Sequence, residues 1–124
     1  IILKLKMKEE SIFIQALDRE ILFYIGKSQK DNFAVIDMGS EDDLWFHAKD
    51  ESSCHVVCEI PDDIDIDKKE LQSIIKTGAL LCKNNTNKLT SLSNVAIIYT
   101  QIKNITKTKT PGCVLTQNTK TIVC

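Results

Sequence analysis

Apolar residues in this chain arrive mostly as short β-branched and aromatic runs closed off by turn formers, and once as a longer stretch at helical spacing. That rhythm narrows the fold, because strands show a period of two and helices a period near 3.6. Leu3, Leu5 and Met7 alternate with Lys4, Lys6 and Lys8, which predicts an edge strand within residues 1–10. Ile12 to Leu17, the charged turn Asp18-Arg19-Glu20 and Ile21 to Ile25 predict a hairpin ending at Gly26. Beyond the polar segment SQKDN, strands are predicted at Phe33–Asp37, Leu44–Ala48 and His55–Ile60. Pro61 and the acidic DDIDID segment end this pattern, and Asp67 with Glu70 three residues later reads as a capping box. Leu71, Ile74, Ile75, Gly78 and Cys82 then share one face of a helix running to about Lys83. Asn94–Thr100 is the most strongly β-forming run and predicts a central strand. Pro111-Gly112 marks a turn, and Val114–Thr116 with Thr121–Val123 predict a final hairpin or two short strands. The expected class is α+β, a mainly antiparallel sheet with at least one packed helix, in a single domain over residues 1–124.

A length of 124 residues suffices to close one hydrophobic core. Hydrophobic residues at 43% and charged residues at 27% exclude disordered and fibrous classes. No apolar run approaches the roughly 20 residues needed to cross a bilayer, and the Lys-alternating opening is unlike a signal sequence, so no membrane partner is expected. The sequence opens on Ile1 rather than Met, so the true start is expected to lie upstream or to have been trimmed. Five cysteines, an odd number without a repeated CxxC pattern, draw no complete disulfide framework and point to a reducing, cytoplasmic setting. Asn84 and Asn104 open tripeptides that match glycosylation acceptors, a pattern common by chance in Asn/Thr-rich sequence.

Charge is partitioned along the chain. Residues 1–36 carry six basic and five acidic side chains, residues 37–70 three and twelve, and residues 71–124 seven lysines and no acid. A lysine-rich region without carboxylates can present a face that attracts phosphate, although the net charge is only −1. The competing reading scatters these lysines over solvated faces or pairs them with the acidic middle.

His47 and His55, the two histidines, lie in or beside the segment DDLWFHAKDESSCHVV. As a zinc site, His47, Cys54, His55 and Cys58 are permitted ligands, but strand alternation sends the neighbours Cys54 and His55 to opposite faces. The same adjacency argues against a Cys54–His55 nucleophilic pair. Carboxylate-pair hydrolysis by Asp42, Asp43 and Asp50 yields to the simpler reading of an acidic, solvated run. Recognition fits better: Trp45, Phe46 and His47 offer stacking surfaces, while Lys27, Lys49, Lys107 and Lys109 can meet phosphate. Set against this, Trp45 is more readily a core residue, with Phe46 pointing away and His47 sharing its face.

At this segment the chain resembles the NFACT RNA-binding domain, the carboxy-terminal module of the NFACT proteins of ribosome-associated quality control, also found in small free-standing proteins. Three blocks carry the resemblance, which extends from about Ile12 onward. The first is Gly26-Lys27, four residues, then Asn32. The second runs from Asp42-Asp43-Leu44-Trp45-Phe46-His47-Ala48-Lys49-Asp50 to Ser52-Ser53-Cys54-His55-Val56-Val57. The third is Tyr99-Thr100, the Lys103–Lys109 loop and Pro111-Gly112-Cys113-Val114. Ser52-Ser53 replaces the family's Pro-Gly, Cys54 its Ser, and Thr110 precedes the second Pro-Gly. The resemblance implies a non-catalytic module, without cofactor, that binds RNA, either tRNA or ribosome-associated RNA. The residues it nominates are Lys27, Asn32, Trp45, His47, Lys49, His55, Lys103, Lys107 and Lys109, gathered beside the two imidazoles. The alternatives are a protein-interaction module that docks a basic, ribosomal partner on its acidic middle, and a DNA-binding relative.

Overall fold

The computed structural model describes residues 7–124. Strand β1 (Lys8–Ile14) turns through a short 3-10 segment into β2 (Arg19–Gly26), with Asp18 in the left-handed conformation that tightens the turn. Then come helix α1 (Gln29–Met38), strands β3 (Leu44–Ala48) and β4 (His55–Cys58), helix α2 (Lys68–Asn84) and strand β5 (Ala96–Gln101). Three short strands follow: β6 (Ile105–Lys107), β7 (Val114–Thr116) and β8 (Lys120–Val123). The main sheet has the order β1-β2-β4-β3-β5-β8, every neighbouring pair antiparallel, and β6-β7 forms a separate ribbon. This is the α+β class the pattern predicts.

The two helices cover opposite faces of the sheet. Alternation along β3 explains how: Leu44, Phe46 and Ala48 point to the face under α2, where they join Ile74, Ile75, Ala79 and Cys82. Trp45 points the other way and packs with Tyr24, Val57, Val35 and Ile36 under α1. Helix α2 starts where the capping box predicts, since the Asp67 carboxylate accepts from the Glu70 amide and Glu70 accepts from that of Asp67.

Two expectations change. Phe33–Asp37 is helical, not a strand: Ser28 caps the segment by accepting the Asp31 amide, and Asn32, Val35 and Ile36 recur at helical spacing to bury one side. Tertiary burial overrides the β propensity of FAVID. Of the two forms expected at the end of the chain, a hairpin or two short strands, the structure has the second: β7 pairs with β6 and β8 with β5, which makes β5 interior and β8 an edge. Within the expected Lys103–Lys109 loop, residues 105–107 are strand β6. Of the edge strand expected in residues 1–10, residues 1–6 lie outside the described residues; Lys8–Glu10 belong to β1, at the sheet edge.

Candidate nucleic-acid interface

The first sequence block is a packing device. Gly26 pairs with His55 across β2 and β4, and a side chain at Gly26 would press against the backbone of Asp31 and Asn32 at 2.8–2.9 Å. Glycine lets α1 close onto the sheet at this point. The closure delivers the Asn32 side chain, whose Oδ1 accepts the backbone N–H of His55 at 3.1 Å.

The second block builds a ring cluster on the α1 face. Trp45 and His47 stack with centroids 5.6 Å apart and planes 3° from parallel, and His55 stands edge-on to both. The Trp45 Nε1–H donates to His55 Nδ1 at 3.1 Å, so that nitrogen is an unprotonated acceptor and the ring proton belongs on Nε2. Burial, helped by the neighbouring His47, pushes the His55 pKa down to about 3; burial also lowers that of His47. His47 Nδ1 donates to the Ala48 carbonyl at 2.7 Å. Asp43 works upstream, its two carboxylate oxygens accepting the amides of Ser40 and Ile60 at 2.8 Å each. That tie joins the entry of β3 to the exit of β4.

The third block fastens the carboxy-terminal segment. The Thr100 hydroxyl reaches the carbonyls of Gln117 and Asn118. Gly112, at φ +80°, lays the Pro-Gly turn against Gln29, with the nearest approach 3.1 Å from where its side chain would begin. Lys109 is thereby carried on a loop seated at the first turn of α1.

These devices converge on a polar cleft of about 440 Å³ with three walls. Lys27, Gln29 and Asn32 come from the start of α1, Ser52 to Cys54 from the β3–β4 loop, and Asn85 to Lys88 from the segment after α2. Among the described residues no carboxylate lines it, although Glu51, next to the lining, lies 3.7 Å from the Lys88 ammonium. The Lys88 ammonium donates to Ser52 Oγ at 2.9 Å and bridges across to the loop. Amides, hydroxyls and two ammonium groups in one concavity suit phosphate oxygens and base edges.

The nominated residues separate into three groups. Lys27 and Asn32 line the cleft; Lys109 and Lys49 are exposed and have no ion-pair partner among the described residues. Trp45 and His55 are each 1% exposed, so they support the surface from behind and offer it no stacking face; His47 is half-buried. The expected gathering of Lys103 and Lys107 with the histidines does not occur. Lys103 pairs with Asp42 at 3.3 Å and Lys107 with Asp37 at 2.7 Å, because the fold returns the carboxy-terminal lysines to the acidic middle. The Lys107 ammonium also lies 5.3 Å from the centroid of the Phe33 ring. The cleft residues Gln29, Ser52, Asn85, Asn87 and Lys88 escaped the sequence reading. An Asn/Lys-rich segment after a helix looks like any solvated connection until the fold sets it opposite another wall.

Residues 9–122 match the family described as NFACT protein RNA binding domain. Coiled-coil domain-containing protein 25 of Danio rerio is 34% identical over 85 residues, 68% of this chain and 41% of the relative. The Dictyostelium discoideum homolog of that protein is 29% identical over 102 residues, 78% of this chain and 47% of the relative. The chain thus spans less than half the length of these relatives. Among solved structures, the C-terminal part of the fibronectin/fibrinogen-binding protein from Streptococcus suis superposes with a TM-score of 0.74 at 25% identity, over 97% of this chain and 46% of that one. With its three blocks in place and nearly its whole length matched, this chain belongs to the NFACT RNA-binding domain family.

Proposed function

We propose that this domain binds single-stranded or looped RNA, tRNA among its targets, through the three-walled cleft, serving translation or ribosome-associated quality control in the cytoplasm without catalysing a reaction. The observation that carries the proposal is the cleft onto which the family's first two blocks converge, lined by Lys27 and Lys88 and by no carboxylate among the described residues, with Glu51 beside it in a loose, exposed pair with Lys88 at 3.7 Å. Lys49 and Lys109 extend its positive field, whereas the neutral His47 and His55 add none. The cleft is of a size for about one nucleotide, so RNA contact depends on phosphates flanking it.

The test is fluorescence anisotropy with tRNA and an unstructured oligonucleotide over a salt series. Binding should weaken with a log-log slope of about −0.7 per contacted phosphate for single strands. Lys27→Glu with Lys88→Glu should lower affinity at least tenfold and flatten that slope by about 1.4. Lys103→Glu, away from the cleft, should lower affinity only about two- to fivefold, through the overall field. Wild-type binding by the double variant, or no binding of any RNA at low salt, would defeat the proposal.

A second reading rests on another cavity, lined by Glu20, Asp43, Glu59, Asp62 and Asp63 together with Arg19, which pairs with Asp63. This acidic surface suits a basic protein such as a ribosomal one, and a structural neighbour bears the name fibronectin/fibrinogen-binding protein. Recovery of partners from nuclease-treated cytosol, lost on Glu59→Lys, would favour it over RNA.

A further inference from the structure

Cys54 occupies one wall of the cleft and Cys82 lies in the last turn of α2, shortly before the wall formed by Asn85 to Lys88. The two thiols are interlocked. The Cys54 thiol donates to the Cys82 carbonyl at 3.2 Å, and the Cys82 thiol donates back to the Cys54 carbonyl at 3.5 Å. Thr86 clamps the same pair, accepting the Cys54 amide at 3.1 Å and donating to the Cys82 carbonyl at 2.9 Å. Neither sulfur is bonded to another, and both side chains are buried, Cys54 at 5% exposure and Cys82 at 0%. Each thiol thus lies against the other residue's backbone, the kind of close approach that bridging without backbone movement requires.

We infer that Cys54 and Cys82 form a reversible disulfide, made by a peroxide and undone by thiol exchange, that clasps two walls of the cleft together. The disulfide stands on the thiol geometry alone, and its effect on RNA rests on the function proposed above. Cys54 is the attacking sulfur because it borders the cleft, through which a molecule as small as hydrogen peroxide can reach it. The neighbouring Cys82 side chain and, less strongly, that of Thr86 lower its pKa against the effect of burial, while Cys82 is held well above the usual thiol value. The Cys54 thiolate displaces hydroxide from peroxide to give a sulfenic acid, the hydroxide leaving as water once protonated. The Cys82 thiol then attacks that sulfur, the S–S bond forms and the sulfenic oxygen departs as a second water. Two thiols and one peroxide thus become one disulfide and two waters. Cys58, buried and without a partner thiol, is held well above the usual thiol value by burial and stays out of the reaction.

The clasp joins the Ser52–Cys54 loop to the end of α2, so both walls enter RNA binding already ordered and less freedom is lost. Oxidised protein should bind the oligonucleotide about threefold more tightly than reduced protein. The experiment treats the full chain with stoichiometric hydrogen peroxide, blocks remaining thiols and maps tryptic peptides by mass. The expected product links peptide Thr77–Lys83 to peptide Asp50–Lys68, which holds both Cys54 and Cys58, with loss of about 2 Da, and fragmentation between the two cysteines places the bond on Cys54. Cys54→Ser and Cys82→Ser should each abolish it, and dithiothreitol should reverse it. Wild-type protein whose Cys54 and Cys82 stay reduced, or whose Cys82 links to Cys124 instead, overturns the inference without recourse to any variant. A Cys54–Cys82 disulfide with unchanged affinity overturns the clasp. Absence of RNA binding in both states, with the disulfide formed, overturns the functional proposal and leaves the disulfide standing.

Discussion

His55 sits where three restraints meet: its backbone N–H is held by Asn32, its Nδ1 by Trp45, and its ring by the edge-on His47. A neutral imidazole suits this place, since charging it would turn an acceptor into a second donor against the Trp45 N–H. Folding therefore excludes a proton that the unfolded chain binds below its ordinary pKa of about 6.5. With the folded value near 3, the unfolded state binds more protons between those limits, so stability falls as pH drops through that window and is full above it. Between pH 7 and pH 4 the loss should be on the order of 3 kcal/mol, at 1.36 kcal/mol per unit, with His47 adding in the same direction. Urea unfolding across that range measures it, and His55→Phe should flatten the dependence even though it costs absolute stability. A wild-type curve level from pH 7 to pH 4 would show that the ring is not held neutral. At this scale the sequence showed that Trp45 and His47 share a face, because alternation in a strand is local. The locked tautomer was not legible, since it depends on two strands lying side by side.

At the scale of elements, the family blocks turn out to be fasteners between units distant in sequence. Gly26 seats α1, Asp43 ties β3 to the segment after β4, and Thr100 and Gly112 bring the carboxy-terminal segment back onto β5 and α1. Gly26→Ala tests this, since the added methyl meets backbone and cannot be accommodated by a rotamer change. Displacing α1 should cost about 1–3 kcal/mol in urea unfolding. It should also withdraw Asn32 from His55 and weaken RNA binding even in the folded fraction. Unchanged stability would mean that the helix position tolerates the shift. Helix α2 was legible to within about a residue, because the capping box and the apolar face are both local signals. Helix α1 was not: Val35 and Ile36 prefer strands in isolation, and the cap at Ser28 is informative only with burial of Asn32, Val35 and Ile36 on the sheet.

For the whole molecule, charge decides where a phosphate chain can lie. The fold brings Asp37 to Lys107 and Asp42 to Lys103, which spends two of the lysines that look available in the sequence. Both pairs are exposed, so each contributes about 0–1 kcal/mol to stability. Asp37→Asn with Asp42→Asn should leave unfolding almost unchanged. It should raise RNA affinity about two- to fivefold at low salt by freeing positive charge and removing negative charge, an effect that high salt suppresses. Anisotropy at two salt concentrations checks this, and a salt-independent gain would point to some other cause.

Local pattern by itself determined the fold class, the β1–β2 hairpin, β3, β4, β5 and the start of α2, because alternation, helical spacing and capping act within a few residues. It also carried the family blocks, whose order and spacing survive in one dimension. Tertiary structure alone decided that FAVID is helical, that Trp45 and His55 lie behind the surface, which lysines remain unpaired, and that Asn85–Lys88 faces Ser52–Cys54 across a cleft. These depend on which segments the sheet order brings together, and burial and Coulomb energy act through space rather than along the chain.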